Sequence, residues 1–177
     1  MTTTAGLTWA VKESLVSYVE ALDDGVVEAV APATRSEAGF FFPTAEPDAG
    51  TAGEEGASGG PADGAPSADR AGHALQFRGA VRLTGHWGML DVELRDPSVE
   101  LDGDHGTLFV RERGSRDARA RLPLADLTVG ATTTEPGPAV VQAAASLTGH
   151  GRLLLGGQYA VGEPLSPVLI TLPARRG

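Results

Sequence analysis

Histidine is the residue type in this chain best suited to metal binding or proton transfer, and it is scarce. The chain has four His and no Cys, which excludes disulfides, thiolate chemistry and cysteine-based zinc or iron–sulfur sites. His86 lies in Gly85-His86-Trp87-Gly88, between two runs of alternating apolar residues. The flanking glycines allow a turn or bulge that re-aims the imidazole and the indole. We therefore single out His86 and Trp87, with a solvated hairpin end as the ordinary alternative.

Tyrosine is the second residue type with useful chemistry, and Tyr18 stands on the apolar stripe of a predicted helix. The stripe recurs at spacings of three and four and consists of Val11, Leu15, Tyr18, Val19 and Leu22. We predict a helix over residues 7–22, with Thr8 as its N-cap and Gly25 just past its end. On this spacing Tyr18 faces the core, where a tyrosine with a hydrogen-bonded hydroxyl is ordinary.

Two other aromatic positions are compatible with a bound ligand. Tyr159 follows Gly156-Gly157-Gln158 and precedes Gly162, so a partner can approach the backbone closely there. Two ordinary turns around a partly exposed tyrosine are the alternative. The run Phe40-Phe41-Phe42 predicts a buried strand with Phe41 on the face opposite its neighbours. Aromatic rings also suit the face of a flat apolar ligand, and Phe41 is our candidate contact.

Short strands with turns between them dominate the chain from Ala74 onward. The candidate strands are residues 75–84, 88–95, 98–101, 106–112, 118–124, 126–130, 140–148, 151–155 and 167–172. This pattern is typical of a mainly β protein, built as an antiparallel β-sandwich or a barrel-like sheet system. The N-terminal helix must pack on that sheet system, because its apolar stripe has no other surface to cover.

One segment differs from the rest in composition. Residues 43–72 contain no aromatic residue and no Val, Ile, Leu or Met, and they include six acidic residues and one arginine. Such a segment cannot offset its ordering entropy by burial. We predict a single domain over 1–177 with a disordered acidic insert at about 43–72, which carries −5 of the net charge of −9.

Charge and hydropathy exclude several classes of partner. The net charge of −9 argues against nucleic acid, which needs a basic surface, and against an anionic membrane. No apolar run approaches the ~18 residues of a membrane span. The N-terminus has no basic region followed by an apolar run, so no signal peptide is predicted. We expect a cytoplasmic protein, with an exported protein that has lost its leader as the alternative.

Three stretches of the chain, in order, resemble the HtaA-type haem-binding domain. The residues that carry the resemblance are Trp9, Val11, Lys12, Ser14 and Tyr18; His86 with Leu90-Asp91 and Asp96-Pro97; and Gly157-Gln158-Tyr159 with Gly162 and Pro167-Val168. They span nearly the whole chain apart from the insert. The chain departs from the family pattern at Ser166, where the family usually has Asp, and in the length of its insert.

The resemblance implies a protein that holds ferric haem b, with Tyr18 as the axial iron ligand and His86 and Tyr159 in support. His105, in an Asp-Gly turn that could fold over the pocket, is the second candidate for the supporting histidine. We add Phe41 and Trp87 as aromatic contacts. The implied role is haem transport, transfer or storage without catalysis, with haem and a haem donor or acceptor protein as partners.

Two other functions stay open at the level of sequence. A β-sandwich interaction module would bind a protein partner, helped by the acidic insert, and would hold no haem. An enzyme is less favoured, because no Gly-x-Ser-x-Gly nucleophile elbow is present. The sequence leaves the oligomeric state undetermined.

Overall fold

The computed structural model describes residues 4–45, 73–117, 119–134 and 137–173. In chain order the elements are β1 (Gly6–Trp9), α1 (Glu13–Glu20), β2 (Val26–Val30), β3 (Thr34–Ser36), β4 (Gly39–Pro43), β5 (His73–Gln76), β6 (Ala80–Gly85), a 3₁₀ turn (His86–Gly88), β7 (Leu90–Arg95), β8 (Ser98–Asp102), β9 (His105–Arg111), β10 (Arg121–Thr133), β11 (Val140–Leu147), α2 (Gly149–Leu154) and β12 (Pro164–Thr171). The predicted mainly β class is confirmed. From residue 46 onward, the predicted insert lies outside the described residues.

Two antiparallel sheets account for all the strands of these ranges. The larger has the order β3-β4-β1-β12-β11-β10-β9-β8-β5, and the smaller has the order β2-β6-β7. Past the end of β4, Thr44 pairs with Phe77, and the Arg78 amide donates to the Pro43 carbonyl at 3.0 Å. These bonds bring β4 and the residues after β5 together. The larger sheet therefore curls towards a barrel, which is one of the two arrangements that the sequence leaves open.

Alternating apolar residues of the strands fill the interior. The largest fully buried side chains are Trp9, Phe40, Phe42, Leu7, Leu83, Leu94, Leu108, Leu124, Leu127, Leu147, Leu155 and Ile170. The Trp9 indole N–H donates to the Ser166 carbonyl at 2.9 Å, so the buried ring has its one polar atom satisfied. Within the described residues, no buried side-chain nitrogen or oxygen lacks a hydrogen-bond partner.

The first third of the predicted helix over 7–22 is wrong. Residues Gly6–Trp9 form β1, which pairs with β4 and β12, and Thr8 is a strand residue opposite Leu169, not an N-cap. Val11 takes a left-handed conformation (φ 62°), and α1 begins only at Glu13. Because β1 is paired on both sides, its peptide groups have hydrogen-bond partners in the sheet. A helix that began at Thr8 would lose these partners.

Tyr18 also departs from its prediction. The buried line of α1 runs through Leu15 and Val19, four residues apart, whereas Tyr18 is 45% exposed. A residue one position before Val19 is rotated by about 100° around the helix, which turns the Tyr18 ring out of the core. The tyrosine is therefore a surface residue beside the core and not part of it.

The strand predicted over 151–155 is a helix. In α2, the Gly151 amide donates to the Thr148 hydroxyl at 2.9 Å, so Thr148 is the N-cap that the sequence reading overlooked. Gly151 also packs against the Leu124 carbonyl, where a Cβ would lie at 2.1 Å. At eight and six residues, the two helices of the described ranges are too short to cross a membrane.

Two predicted strand boundaries change as well. The strand over 75–84 divides into β5 and β6 around Gly79, which has a φ of 111°. The separate strands over 118–124 and 126–130 join into β10, whose pairing with β9 shifts register between Pro123 and Ala125. A bulge keeps the long strand continuous where strict alternation fails.

The smaller sheet carries α1. The helix packs on β2 and β6 through Leu15 and Val19, and the turn after it brings Gly25 against the helix end. An added Cβ on Gly25 would lie 1.7 Å from the Val19 carbonyl oxygen. This close approach fixes the position of the helix over the sheet.

A methyl group at position 25 should separate the helix from the sheet. We expect Gly25→Ala to lose about 1–3 kcal/mol of unfolding free energy through overpacking against Val19, measured as a lower Tm in thermal unfolding. Gly149→Ala is the matched control, because its Cβ would meet nothing within 4 Å and alanine is the better helix former. Equal melting temperatures for the two variants would contradict this account of the α1 contact.

Candidate functional site

Tyr18 and His86, 68 residues apart in sequence, meet at the surface. The Tyr18 Oη lies 2.5 Å from the His86 Nε2, and the ring centroids are 5.8 Å apart at 44°. Tyr18 comes from the exposed side of α1 and His86 from the turn between β6 and β7. Either the phenol O–H or an imidazole N–H donates in this bond, according to the histidine tautomer. The pair thus places a phenol oxygen and an imidazole nitrogen side by side at the surface.

The turn that carries His86 has unusual backbone geometry. His86 and Trp87 both adopt left-handed conformations (φ 50° and 52°), and Gly88 follows at 91°. For residues other than glycine, this region costs of order 1 kcal/mol each. The prediction that the Gly85–Gly88 segment re-aims both side chains agrees with this geometry. Such strain persists only where neighbouring contacts hold it.

A carboxylate that the sequence did not single out supplies those contacts. Asp24 Oδ1 accepts a hydrogen bond from the His86 amide at 3.1 Å, and Oδ2 accepts one from the Trp87 amide at 2.5 Å. One side chain therefore satisfies two successive N–H groups. In the sequence, Asp24 is recognisable only as part of the Asp-Gly pair that ends the helix, and no local sequence pattern indicates its contact with residue 86.

A cavity of about 410 Å³ opens beside the pair. Its lining residues are Leu15, Tyr18, His86, Trp87, Met89, Leu90, Leu155, Gly156 and Gln158. The lining is mainly apolar, with one phenol, one imidazole and one amide as its polar groups, which is the usual make-up of a small-molecule site. The rim leaves Trp87 84% exposed and Met89 90% exposed. Large apolar side chains in water at a cavity mouth indicate a binding surface.

Tyr159 lies close to this cavity but does not line it. Its neighbour Gln158 does, while the Tyr159 ring is half-buried against the core with the Lys12 Nζ 5.1 Å from its centroid. Lys12 also pairs with Glu163 at 3.1 Å. Tyr159 is therefore fixed by a cation–π contact at the edge of the site, apart from Tyr18.

Phe41 is not brought to the cavity. It lies on β4 in the larger sheet, opposite Thr8, with its ring over Gly6. Phe40 and Phe42 are buried, so the alternation predicted for the triplet is correct. Among the predicted aromatic contacts, the structure places Trp87 at the cavity and Phe41 in the sheet.

His105 lies elsewhere too. It begins β9 opposite Asp102, exposed to solvent, in a separate cavity of about 620 Å³ whose acidic lining residues are Glu100, Asp102 and Asp126. That cavity contains no tyrosine. Of the two candidate supporting histidines, His86 is the one hydrogen-bonded to Tyr18. No group of three or more His, Cys, Asp or Glu in the described ranges could hold a metal ion by itself.

The acidic residues of the second motif shape the hairpin and not the cavity. Asp91 accepts hydrogen bonds from Arg113 and Arg82. These two bonds, the one from Arg113 more than the one from Arg82, hold the pKa of the Asp91 carboxyl below its ordinary value. Asp96, at a φ of 45°, accepts from the Gly79 amide at 3.1 Å. The exposed ion pairs of Asp91 link β7 to β6 and to the turn after β9, and such pairs add little stability.

The first and third motifs meet through β1 and β12. Trp9 pairs with Val168, and the Ser166 amide donates to the Val11 carbonyl at 2.9 Å. Ser166 makes this contact and the one to Trp9 through its backbone. Replacement of the family's usual Asp by Ser at this position therefore leaves both contacts available.

Three solved structures from Corynebacterium glutamicum are similar to this chain in fold. The C-terminal domain of HtaA from Corynebacterium glutamicum aligns at 21% identity and a TM-score of 0.68, covering 97% of this chain and 98% of that one. The N-terminal domain of the same protein aligns at 19% and 0.65, with coverage of 98% and 99%. The haem-binding protein HtaB aligns at 22% and 0.63, with coverage of 95% and 91%.

The comparison with sequence families is the decisive one. No curated protein matches the chain. The HtaA family model, in contrast, matches residues 4–171, which spans all three motifs and nearly every described element. The chain therefore belongs to the HtaA family.

Proposed function

We propose that this chain binds ferric haem b in the cavity beside Tyr18 and holds the iron through the Tyr18 phenolate. The observation that carries the proposal is the Tyr18–His86 hydrogen bond at the mouth of a mainly apolar cavity. Membership of the HtaA family and the fold shared with the haem-binding protein HtaB support it.

The side chains present fit such a group. Leu15, Leu90 and Leu155 offer apolar surface to a macrocycle, and Trp87 and Met89 extend that surface at the rim. Tyr18 supplies an oxygen ligand at 45% exposure, so the oxygen is open to an incoming metal. Haem brings its own four nitrogen ligands, which explains how a single protein oxygen suffices in a region without a metal-binding side-chain cluster.

The chemistry of Tyr18 follows from its charge. A free tyrosine has a pKa near 10, so ionisation at neutral pH requires a nearby cation. When bound, haem supplies ferric iron, and a hard anionic oxygen favours Fe(III) over Fe(II). An ionised Tyr18 has no proton to donate, so His86 Nε2–H must donate to Oη. That bond stabilises the phenolate and draws charge away from the metal side of the oxygen.

This arrangement suits capture and release. The cavity stays open at its rim, and a ligand oxygen weakened by a donated hydrogen bond can be exchanged. We propose haem transport, transfer or storage without turnover, with a haem donor or acceptor protein as partner. Tyr159, held by Lys12 next to Gln158, supports the edge of the site in this scheme.

Tyr18→Phe tests the ligand. It removes one half-exposed hydroxyl, so the apo-protein should lose at most about 1 kcal/mol of unfolding free energy. The phenolate-to-iron charge-transfer bands should vanish, and haem should transfer faster to an excess acceptor. Tyr159→Phe is the matched control and should keep the bands. If Tyr18→Phe retains the wild-type spectrum, the ligand assignment is wrong; peroxide breakdown by the wild type would count against a purely carrying role.

His86→Ala tests the hydrogen-bond partner. The tyrosinate-type spectrum should persist because Tyr18 is intact, while the haem dissociation rate should rise about 10-fold or more, as for other residues that support a metal ligand. His105→Ala should leave the rate unchanged, since His105 lies in another cavity. Equal rates for wild type and His86→Ala would remove His86 from the site, and a changed ligand class would assign it to the iron instead.

A further inference from the structure

We propose that Asp24 is the positioning residue of the site: its carboxylate locks the left-handed His86–Trp87 turn and thereby places the His86 imidazole on Tyr18. The inference rests on the proposed haem function for its biological meaning. The geometric part of it concerns this chain's own residues and can be measured without haem.

The pairing of β2 with β6 brings Asp24 to the turn. Val26 pairs with Thr84, and the same antiparallel register continued by two residues puts Asp24 opposite His86. At that point the chain no longer has strand conformation, and the Asp24 side chain provides the hydrogen bonds that a paired strand backbone would otherwise make. The two carboxylate oxygens accept hydrogen bonds from the backbone amides of His86 and Trp87, one each.

The rest of the turn offers little to hold it. The Trp87 side chain is 84% exposed, and a Cβ on Gly88 would meet nothing within 4 Å. The one backbone bond across the turn runs from the Met89 amide to the His86 carbonyl at 3.1 Å, and it does not engage the two strained amides. Without the Asp24 carboxylate, His86 and Trp87 would relax from the left-handed region that disfavours them.

The position of Asp24 is itself fixed relative to Tyr18. Both lie in one segment, because α1 ends at Glu20, the Gly25 amide donates to the Leu22 carbonyl at 3.1 Å, and Gly25 abuts the Val19 carbonyl. The carboxylate that holds the His86 turn and the phenol that meets the His86 ring therefore belong to the same rigid unit. Loss of the carboxylate should swing the imidazole away from Oη.

Asp24→Asn tests this, with Asp23→Asn as the matched control. Asparagine keeps one acceptor but offers an NH₂ group where the second N–H needs an acceptor. Asp23 is exposed, stands one residue earlier, and undergoes the same change of charge. The first readout is the NOE between the Tyr18 and His86 ring protons in the apo-protein, which the 5.8 Å separation of the two ring centroids predicts for the wild type.

We expect Asp24→Asn to lose this NOE and Asp23→Asn to keep it at its wild-type intensity. In the haem complex, Asp24→Asn should raise the haem dissociation rate about 10-fold. Added to His86→Ala, it should have no further effect, because a positioning residue acts only through the residue it positions.

Trp87→Gly in the Asp24→Asn background provides a rescue. Glycine accepts the left-handed conformation without strain, so the NOE between the Tyr18 and His86 rings should return, which a general loss of stability would not produce. If Asp24→Asn does not fold, the rescued variant should. A double variant that stays unfolded or still lacks the NOE overturns the proposal.

Three further results would overturn it. These are an NOE between the two rings that Asp24→Asn leaves unchanged, a rate increase that persists in the His86→Ala background, and the absence of the NOE from the wild type, which would mean there is no contact to position. A wild-type protein that fails to bind haem would refute the proposed function alone, because the apo NOE measurements still decide the role of Asp24.

Discussion

The hydrogen bond between Tyr18 and His86 is the interaction on which the site depends, and its two halves belong to different parts of the fold. The helix α1 must lie at one height over the smaller sheet, and the turn after β6 must take a left-handed path. Leu15, Val19 and the close contact of Gly25 set the first condition. The Asp24 carboxylate meets the second. Asp24 and Gly25 are adjacent residues just after α1. A substitution there therefore changes the positions of both the Tyr18 phenol and the His86 imidazole.

The walls of the cavity come from equally distant segments. Leu15 stands on α1, Leu90 opens β7, and Leu155 follows α2, where it is buried. The smaller sheet carries Leu15 and Leu90, and Leu155 follows α2, which packs against β10 of the larger sheet, so the site draws on both sheets. Its rim is different, since Trp87 and Met89 are exposed and leave one side open. A mainly apolar cavity with one open side can admit an apolar ligand.

Much of the fold was predictable because strand alternation and turn residues are local signals. The failures share a cause. Leu7 stands four residues before Val11 and so could extend the helical stripe, but the pairing of Gly6–Trp9 with β4 and β12 decides for a strand. Residues 151–155 read as an apolar strand, yet the Thr148 cap and the contact of Gly151 with Leu124 make a helix. In each case a partner far along the chain supplies the energy that overrides local preference.

The sequence by itself determined the mainly β class of the fold and a break at Gly85–Gly88, and it offered Tyr18, His86 and His105 as candidate site residues. These follow from local residue types, together with the ordered motifs of one family. Tertiary structure alone decided that Tyr18 faces out of the core, that His86 and not His105 meets it, that Phe41 lies in the sheet, and that Asp24 holds the turn. The reason is physical: which groups touch depends on strand register and helix height, and these are set by pairing between residues that no local pattern connects.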